Sequence, residues 1–304
     1  MLKLSEHARF IDDTRTISVD ASHQHTASVI IVSYKAYDDV VEILKQLRVQ
    51  TWADFEVVIV DNGVGIPQKI EKAWEGLNVT YCKLKRNFGP SLARNIGSLL
   101  SRTEVLIFLD DDTIPATDFV ERHVDALKDQ SVIGVRGRLY GRTPSIYNRF
   151  APHYDRGDTR YTYYIDLGAN ISVRKSAFIS VAGFETRWFG AEEIEFSRRL
   201  IELFGDRVWY EPGPVVYHDH ASGLLDLLEK EFRHARMRRL LPDEAMQMPS
   251  RYKGGNRRRV QASYGLRFRV KLALIARLRG IAKAIGHRWP FDPRRPNYLS
   301  EFNG

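Results

Sequence analysis

The sequence is nearly free of cysteine, since Cys82 is the one cysteine in 304 residues. A lone cysteine cannot close an intrachain disulfide or supply a cysteine-based zinc site. Long apolar runs are also missing: no stretch reaches the about 18 uninterrupted apolar residues that a membrane-spanning helix needs. The first residues, MLKLSEHARFIDD, are too charged for a signal peptide. These absences exclude a disulfide-stapled secreted domain, and we expect a cytoplasmic protein.

Positive charge is abundant but unevenly distributed. The chain has a formal net charge of +8 and a sequence pI near 9.5. Residues 251–304 contain 14 lysines and arginines against two acids, which leaves the first 250 residues with a net charge of −4. An acidic body repels the phosphates of a nucleic acid, and no aromatic residues suited to base stacking are interleaved with Arg257–Arg259. We therefore expect no nucleic-acid partner.

Short apolar runs alternate with helical patterns over the first 110 residues. Strands are predicted at residues 27–34, 55–60, 79–84 and 105–109, with helices at 37–49, 68–74 and 91–100 between them. This alternation is typical of an α/β protein with a mostly parallel sheet flanked by helices. In such sheets ligands bind outside the carboxyl ends of the strands, and the polar clusters of this sequence follow those ends.

The second half of the chain has a different pattern. The elements predicted there are a helix at 116–128, a strand at 132–140, a helix at 192–203, strands at 207–210 and 215–218, and a helix at 223–240. Residues 266–272 alternate apolar and basic residues, which fits a strand. A helix fits as well, with one face formed by Leu266, Val270, Leu274, Leu278, Ile281 and Ile285. We therefore predict a leader (1–26), an α/β domain (27–222) and a helical basic C-terminal region (223–304).

Three adjacent aspartates, Asp110, Asp111 and Asp112, follow the apolar run VLIFL. Adjacent carboxylates repel one another, which costs stability unless a cation or hydrogen-bond donors compensate. In extended geometry Asp110 and Asp112 point the same way, so that two carboxylates face one hard divalent ion such as Mg²⁺ or Mn²⁺. The alternative is an acidic turn that caps a helix beginning near Thr113.

Three further polar clusters have both an ordinary and a functional interpretation. Asp61 directly follows a predicted buried strand, where it is either a turn residue or a ligand contact. The acids of Glu192–Glu195 precede an apolar-periodic helix, where they complement the helix dipole or act in catalysis. His218 and His220 follow a predicted strand near acids, which suits a structural role as well as metal ligation.

The order and spacing of these motifs resemble the family 2 glycosyltransferases, which have the GT-A fold. The motifs are Asp61 after a strand, the segment Asn87–Gly97, Asp110-x-Asp112 after a strand, Ala182-Gly183-Phe184-Glu185 ahead of Glu192-Glu193-x-Glu195, and the late His218. The resemblance spans residues 27–220 and is strongest to the rhamnosyltransferase-like branch of bacterial polysaccharide enzymes. It implies that residues 27–222 form a GT-A catalytic domain.

The resemblance implies a set of residues that bind the donor nucleotide. Tyr34, at the end of the first predicted strand, would pack on the base, and Asp61 would accept a hydrogen bond from the ring. Arg94 matches a residue that helps to hold the nucleotide. Asp110 matches the position that meets the ribose or the metal, and Asp111 is included with it.

The same resemblance implies the groups that act at the reacting centre. Asp112 and His218 would ligate Mg²⁺ or Mn²⁺, with His220 as the alternative to His218, and the ion would neutralise the departing nucleoside diphosphate. Glu193 stands where the family has the base that deprotonates the acceptor hydroxyl, and Glu192 remains the alternative. The implied reaction is a displacement with inversion, from a UDP- or dTDP-sugar to a saccharide or lipid-linked saccharide.

Other interpretations stay open. A nucleotidyltransferase also combines an α/β nucleotide site with a divalent ion, but the strand end VIIVSYKAYDD lacks the glycine-rich phosphate loop of that class. A non-catalytic relative acting as a subunit would not need these acids in register. The basic tail predicts either a packing helix with a solvated basic side or an interfacial helix that makes the enzyme peripheral on an anionic membrane. A homo-oligomer is also compatible with the sequence.

Overall fold

A computed structural model describes residues 2–17, 23–63, 65, 68–187, 192–238, 248, 252 and 266–288. Ten strands lie within these residues and form a single mixed sheet. They are β1 (Ile11–Ile17), β2 (Ala27–Ser33), β3 (Phe55–Asp61), β4 (Val79–Leu84), β5 (Val105–Asp110), β6 (Ile114–Pro115), β7 (Gly134–Tyr140), β8 (Tyr161–Thr162), β9 (Asn170–Arg174) and β10 (Val208–Tyr217).

Helices cover both faces of the sheet. In the described part of the chain they are α1 (Leu4–His7), α2 (Tyr37–Arg48), α3 (Gln68–Ala73), α4 (Pro90–Leu100), α5 (Phe119–Lys128), α6 (Lys175–Ser180), α7 (Glu192–Phe204), α8 (Leu224–Arg238) and α9 (Leu266–Arg288), with short 3-10 segments at Ala8–Phe10 and Ile146–Phe150. The elements predicted before residue 110 all form, and their ends differ from the prediction by no more than one residue.

The strand order places the polar strand ends side by side. The order is β1-β4-β3-β2-β5-β9-β7-β10-β6, with β8 paired to β10. Strands β4, β3, β2 and β5 are parallel neighbours, whereas β9 runs antiparallel to both β5 and β7. Ser33 of β2 is level with Asp61 of β3, and Val32 is level with Asp110 of β5. The carboxyl ends of three parallel strands therefore meet at one edge.

Alternating side chains of the central strands divide the core into two layers. Val29 and Ile31 of β2 point to the face covered by α2 and α5, while Ile30 points to the face covered by α4 and α7. Because successive side chains of a strand face opposite ways, a strand buried on both faces must be apolar at every position. The run ASVIIVS of β2 meets this requirement except at Ser28 and at the last residue, Ser33, and Ser28 donates a hydrogen bond to the buried Glu56 at 2.7 Å.

Several parts of the sheet differ from the sequence prediction, since β1, β6, β8 and the central strand β9 were not predicted. The leader contributes the edge strand β1, which pairs antiparallel with β4 and was not predicted. The strands predicted at 207–210 and 215–218 both form, but as two paired stretches of one strand, β10 (Val208–Tyr217), rather than as separate strands. Its register against β7 shifts between Tyr210 and Val215, where the sequence is Glu-Pro-Gly-Pro. Prolines cannot donate to a sheet ladder, so they produce an irregularity here without ending the strand.

The basic C-terminal region forms two packed helices, α8 and α9. The alternation of apolar and basic residues after Leu266 therefore belongs to a helix, and the strand alternative is wrong. Helix α9 packs through Ile275, which is buried in a small cluster with Phe150 and Leu227. The apolar row, for which the sequence left packing and membrane contact as alternatives, faces outward at Val270, Leu274, Leu278, Ile281 and Ile285. Among the described helices, none combines the length and hydropathy that crossing a membrane requires.

Candidate active site

A cleft of about 1280 Å³ lies beyond the carboxyl ends of β2, β3 and β5. Strand β5 delivers Asp110 to its floor, and the chain then turns sharply through Asp111 and Asp112. Thr113 fixes this turn, since its backbone N–H and its Oγ1 both donate to the Asp110 carbonyl oxygen, at 3.3 and 2.8 Å. The chain after the turn forms β6, and helix α5 begins only at Phe119. The alternative in which these aspartates cap a helix near Thr113 is therefore wrong.

Arg94 connects the two acidic segments of the cleft. Its guanidinium donates to Asp110 Oδ1 at 2.7 Å and to Glu193 Oε1 at 3.1 Å, and it lies 3.7 Å from Glu192 Oε1. Arg94 is buried, and its guanidinium also lies over the ring of Phe184. Burial alone would lower its pKa, but the surrounding carboxylates outweigh that effect and raise it. Arg94 therefore stays charged and holds α4, β5 and α7 together.

Asp111 lies against the end of β2. Its Oδ2 accepts a hydrogen bond from the backbone N–H of Tyr34 at 2.9 Å. Burial, together with the like charges of Asp112 and Asp110, raises the pKa of Asp111 to about 7 despite this hydrogen bond. The three aspartates thus form a site with more negative charge than its own donors compensate. The Tyr34 ring lies in the lining of the cleft and is 41% exposed.

Asp112 and His218 approach each other at the mouth of the cleft. The Asp112 side chain is 55% exposed, and its Oδ1 lies 3.9 Å from His218 Nδ1. His218 is fixed by its backbone N–H, which donates to the Tyr140 carbonyl at 2.7 Å, and its ring lies against Tyr154. His220 contacts the same tyrosine edge-on, and burial lowers its pKa to about 4. The geometry therefore brings His218, rather than His220, to the aspartates.

Helix α7 begins with Glu192 and Glu193, and both line the cleft. Glu193 loses solvent and lies beside the like charge of Glu192, so its pKa is raised in spite of Arg94. Gly168 fits directly against this pair: a Cβ at that position would lie 2.2 Å from an Arg94 nitrogen and 2.5 Å from Glu193 Oε1. Because glycine has no side chain, the backbone at Gly168 can lie this close to Arg94 and Glu193 without displacing either group.

Asp61 and Asn62 have separate roles at the end of β3. Asp61 is buried, and its Oδ2 accepts hydrogen bonds from Tyr81 Oη and the Gly65 backbone, both at 2.9 Å. Asn62 lines the cleft and clamps the loop before α4: it donates to the Gly89 carbonyl at 3.1 Å and accepts from the Phe88 N–H at 2.8 Å. Asn62 therefore lines the cleft, whereas Asp61 is not among the described lining residues.

A second asparagine clamp positions the segment before α7. Asn95 donates to the Phe184 carbonyl and accepts from the Phe184 N–H, both at 2.8 Å. Gly183 passes the clamp with φ +68°, and a Cβ there would lie 2.5 Å from Asn95 Oδ1. Ala182 also has a left-handed φ, +60°, although it has a side chain. These contacts explain why the Asn95 and Gly183-Phe184 motifs occur together.

The opposite side of the cleft is basic. Its described lysines and arginines, which we call the basic wall, are Lys230, Arg233, Arg238, Arg279 and Lys283. Glu231 partly neutralises this wall through ion pairs with Arg279 and Lys283. The acidic wall facing it consists of Asp110, Asp111, Asp112, Glu192 and Glu193. The cleft is thus divided by charge, with the basic wall supplied by α8 and α9.

The structure brings most of the expected site residues together. Those that line the cleft are Tyr34, Arg94, Asp110, Asp111, Asp112, Glu192, Glu193 and His218. Sequence reasoning missed Asn62, Tyr154 and the basic wall. The wall had a readable signal: Lys230, Arg233 and Arg238 recur at helical spacing, as do Arg279 and Lys283. Tyr154 lies in a loop and had none.

Solved structures of similar architecture are glycosyltransferases. The mannosyltransferase PcManGT from Pyrobaculum calidifontis, in complex with GDP-Man and Mn²⁺, matches with a TM-score of 0.61 at 17% identity over 90% of both chains. S. aureus TarS 1–349, in complex with UDP-GlcNAc, matches with a TM-score of 0.53 at 15% identity over 91% of both chains. The expected GT-A fold is therefore confirmed.

The sequence model of Glycosyl transferase family 2 matches residues 28–188, more than half of the chain, and the chain belongs to this family. It is 27% identical over 191 residues to the pre-mycofactocin glycosyltransferase of Mycobacterium tuberculosis, covering 58% of this chain and 40% of that protein. It is 25% identical over 222 residues to the glucosyl-dolichyl phosphate glucuronosyltransferase of Haloferax volcanii, covering 63% and 68%. The chain thus spans about two fifths of the length of the mycobacterial relative. The rhamnosyltransferase-like branch stays a prediction.

Proposed function

We propose that this protein transfers a sugar from a nucleoside-diphosphate-sugar to a hydroxyl group of an acceptor. The observation that supports this most directly is the Arg94 bridge, which holds Asp110 of the aspartate turn and Glu193 at one site. A leaving-group site and a candidate base thereby lie in a single cleft. Family membership favours this activity over nucleotidyl transfer, and the acids retained in register favour it over a non-catalytic role.

The donor is expected at the strand ends, as a UDP- or dTDP-sugar. Tyr34 would stack on the base at the end of β2, and Asp61 would reach it after releasing Tyr81 or the Gly65 N–H. Arg94, Asp110 and Asp111 would hold the ribose and diphosphate side. Similar structures hold UDP-GlcNAc and GDP-Man, so the choice of a pyrimidine nucleotide rests on the motif resemblance.

A divalent cation, Mn²⁺ or Mg²⁺, fits the donor set at the aspartate turn. The raised pKa of Asp111 indicates uncompensated negative charge, and the exposed Asp112 carboxylate with His218 offers oxygen and nitrogen ligands. Asp112 and His218 would hold the ion. When bound, it supplies charge neutralisation for the departing diphosphate. The structure of PcManGT was solved with Mn²⁺, which is consistent with this assignment.

Glu193 is proposed as the base, and the reaction as an inverting single displacement. A base needs a carboxylate open to the acceptor hydroxyl and a pKa that favours taking a proton. Glu193 combines both, because it lines the cleft and its pKa is raised by burial and by Glu192. Arg94 orients the carboxylate through Oε1. The acceptor oxygen would attack the anomeric carbon while Glu193 takes its proton and the nucleotide departs.

The acceptor is proposed to be a lipid-linked saccharide at a membrane surface. The basic wall suits the phosphate of such an acceptor, and the exposed apolar row of α9 suits contact with lipid. A relative at 25% identity is named for a dolichyl phosphate acceptor. Residues 27–222 would then be the catalytic domain and residues 223–304 the docking region of a cytoplasmic, peripheral enzyme. Residues 239–247, 249–251, 253–265 and 289–304 of this region lie outside the described part.

The test is a thermal-shift panel of UDP, dTDP and GDP, each with and without Mn²⁺. We expect UDP or dTDP to raise the Tm only when Mn²⁺ is present, because Asp112 and His218 would hold the ion and its charge would offset that of the diphosphate. The Asp112→Asn variant should lose this metal-dependent rise, and the half-exposed position makes unfolding by the substitution unexpected. Absence of stabilisation by every nucleotide in wild-type protein would contradict the proposal.

A further inference from the structure

A group of potential metal ligands lies at the opposite end of the sheet from the cleft. His23 and His25 precede β2, and Asp54 directly precedes β3, so all three lie at the amino ends of neighbouring parallel strands. We call them the His-His-Asp cluster. One ligand atom from each side chain lies within 4.8 Å of the other two. His23 and His25 lie before the residues that the family model matches, and the proposed glycosyl transfer uses none of the three side chains.

The Asp54 carboxylate is the centre of the cluster. Its Oδ1 lies 2.7 Å from His23 Nε2 and 3.3 Å from His25 Nδ1, while Thr26 Oγ1 donates to the other oxygen. The two imidazole rings are in edge contact, with centroids 4.7 Å apart. His25 is buried, and its Nε2 has no hydrogen-bond partner within the described residues. The Thr26 contact holds the carboxylate so that one oxygen faces both rings.

These separations are close to those of a tetrahedral zinc site. Zn–N and Zn–O bonds are about 2.0 Å long, so tetrahedral ligand atoms stand about 3.3 Å apart. The His25–Asp54 distance already has this value, whereas the His23–Asp54 distance of 2.7 Å must lengthen by about 0.6 Å, and the half-exposed His23 side chain can move outward by that amount. Two imidazoles with one carboxylate select zinc-like ions over Mg²⁺, which prefers oxygen ligands.

We propose that His23, His25 and Asp54 bind one Zn²⁺ ion, with water as the fourth ligand. Two Zn–N bonds and one Zn–O bond would form as three water ligands of the hydrated ion are released, and each neutral ring would carry its proton on the nitrogen that does not bind the ion. The ion would tie residues 23–26 to the start of β3. Its role would be to stabilise this end of the sheet, remote from the cleft.

The experiment uses untagged full-length protein in excess Mg²⁺, so that the aspartate turn is supplied with its preferred kind of ion. Zn²⁺ is added, and bound zinc is measured after gel filtration by elemental analysis, alongside the Tm. We expect one equivalent of zinc per chain. We also expect the Tm to rise by about 5 °C when the free Zn²⁺ concentration is about a hundred times its Kd. Wild-type protein that retains no zinc would overturn the proposal.

Matched variants locate the ion. His23→Gln should lose the zinc and the Tm rise, and because His23 is half exposed its replacement should leave the fold intact. His7→Gln, a histidine outside the cluster, should keep both. Asp112→Asn should also keep both, since it alters only the cleft. If His23→Gln retained zinc, or Asp112→Asn lost it, the ion would be bound elsewhere and the zinc proposal would be wrong. Neither outcome bears on the proposed glycosyl transfer.

Discussion

Arg94 shows how one buried side chain can join the two functions proposed for the cleft. Its contacts to Asp110 and Glu193 hold residues 83 positions apart in the chain at a common centre. Glu193 therefore has its position set by Arg94 and its pKa set by burial and Glu192. The two glutamates consequently have distinguishable effects, although they are neighbours in sequence.

We expect Glu193→Gln to lower kcat by about 10²- to 10⁴-fold, the range typical of losing a general base. Glu192→Gln should retain most of the activity but alter its pH dependence. The negative charge of Glu192 raises the pKa of Glu193, so removing that charge should lower it. Since the base acts when deprotonated, the acidic limb of the kcat–pH profile should move to lower pH. The measurement is kcat as a function of pH for both variants.

Two outcomes would contradict this assignment. Wild-type turnover by Glu193→Gln would remove Glu193 from the base role. Loss of turnover in Glu192→Gln, with an unshifted profile in Glu193→Gln, would transfer the role to Glu192. The Tm of both proteins serves as the control for folding, because both side chains are buried beside Arg94.

At the level of elements, the turn between α6 and α7 carries local strain. Ala182 is exposed and has a φ of +60°, so its side chain gains no burial in return for the left-handed backbone. Ala182→Gly should raise the free energy of unfolding by about 1 kcal/mol. Gly183→Ala should lower it, because the added Cβ would meet Asn95 Oδ1. Chemical denaturation of both variants measures the two changes, and a destabilised Ala182→Gly would refute the strain.

Helix α9 is proposed to contact lipid through its exposed apolar face. Replacing Leu274 and Leu278 with serine should reduce co-sedimentation with anionic vesicles several-fold, since each buried leucine contributes about 1.5–3 kcal/mol on leaving water. Leu225→Ser, a strongly exposed leucine on α8, is the control and should leave vesicle binding unchanged. Equal binding by all proteins would remove α9 from membrane contact.

The sequence predicted element positions better than element faces. Strand β5 was predictable because VLIFL is apolar throughout and ends at Asp110. The packing face of α9 was not, because its periodicity gives one apolar row while the actual contact is made by Ile275 against Phe150. Asp61 was placed correctly at a strand end, but its orientation depends on Tyr81 of the neighbouring strand. The packing face of a helix and the orientation of a side chain at a strand end depend on residues that are distant in sequence.

For the molecule as a whole, the division of charge across the cleft predicts separate effects on the two substrates. Arg233→Glu combined with Arg238→Glu reverses two exposed cations of the basic wall. We expect KM for a phosphate-bearing lipid-linked acceptor to rise at least about tenfold, because charge-assisted contacts to phosphate are lost. KM for the donor should change little. Both constants are obtained from transfer kinetics at fixed ionic strength.

The control is a second double variant that changes the net charge by the same amount as Arg233→Glu with Arg238→Glu, but at positions away from the cleft. Lys45→Glu with Lys128→Glu alters two exposed lysines on α2 and α5, outside the cleft lining. This pair should leave both KM values near wild type. A rise in donor KM, with no change for the acceptor, would instead assign the basic wall to the nucleotide diphosphate.

The boundary between the two walls of the cleft is also a boundary along the chain. Every member of the acidic wall lies at or before Glu193, whereas every member of the basic wall lies at or after Lys230. Exchange of the chain after Gly223 by recombination would therefore replace the basic wall and keep the aspartate turn intact. Chimeras joined near Gly223, after β10 and before α8, would inherit one wall from each parent. Under the proposed assignment of one substrate to each wall, such chimeras would change acceptor specificity while keeping donor specificity.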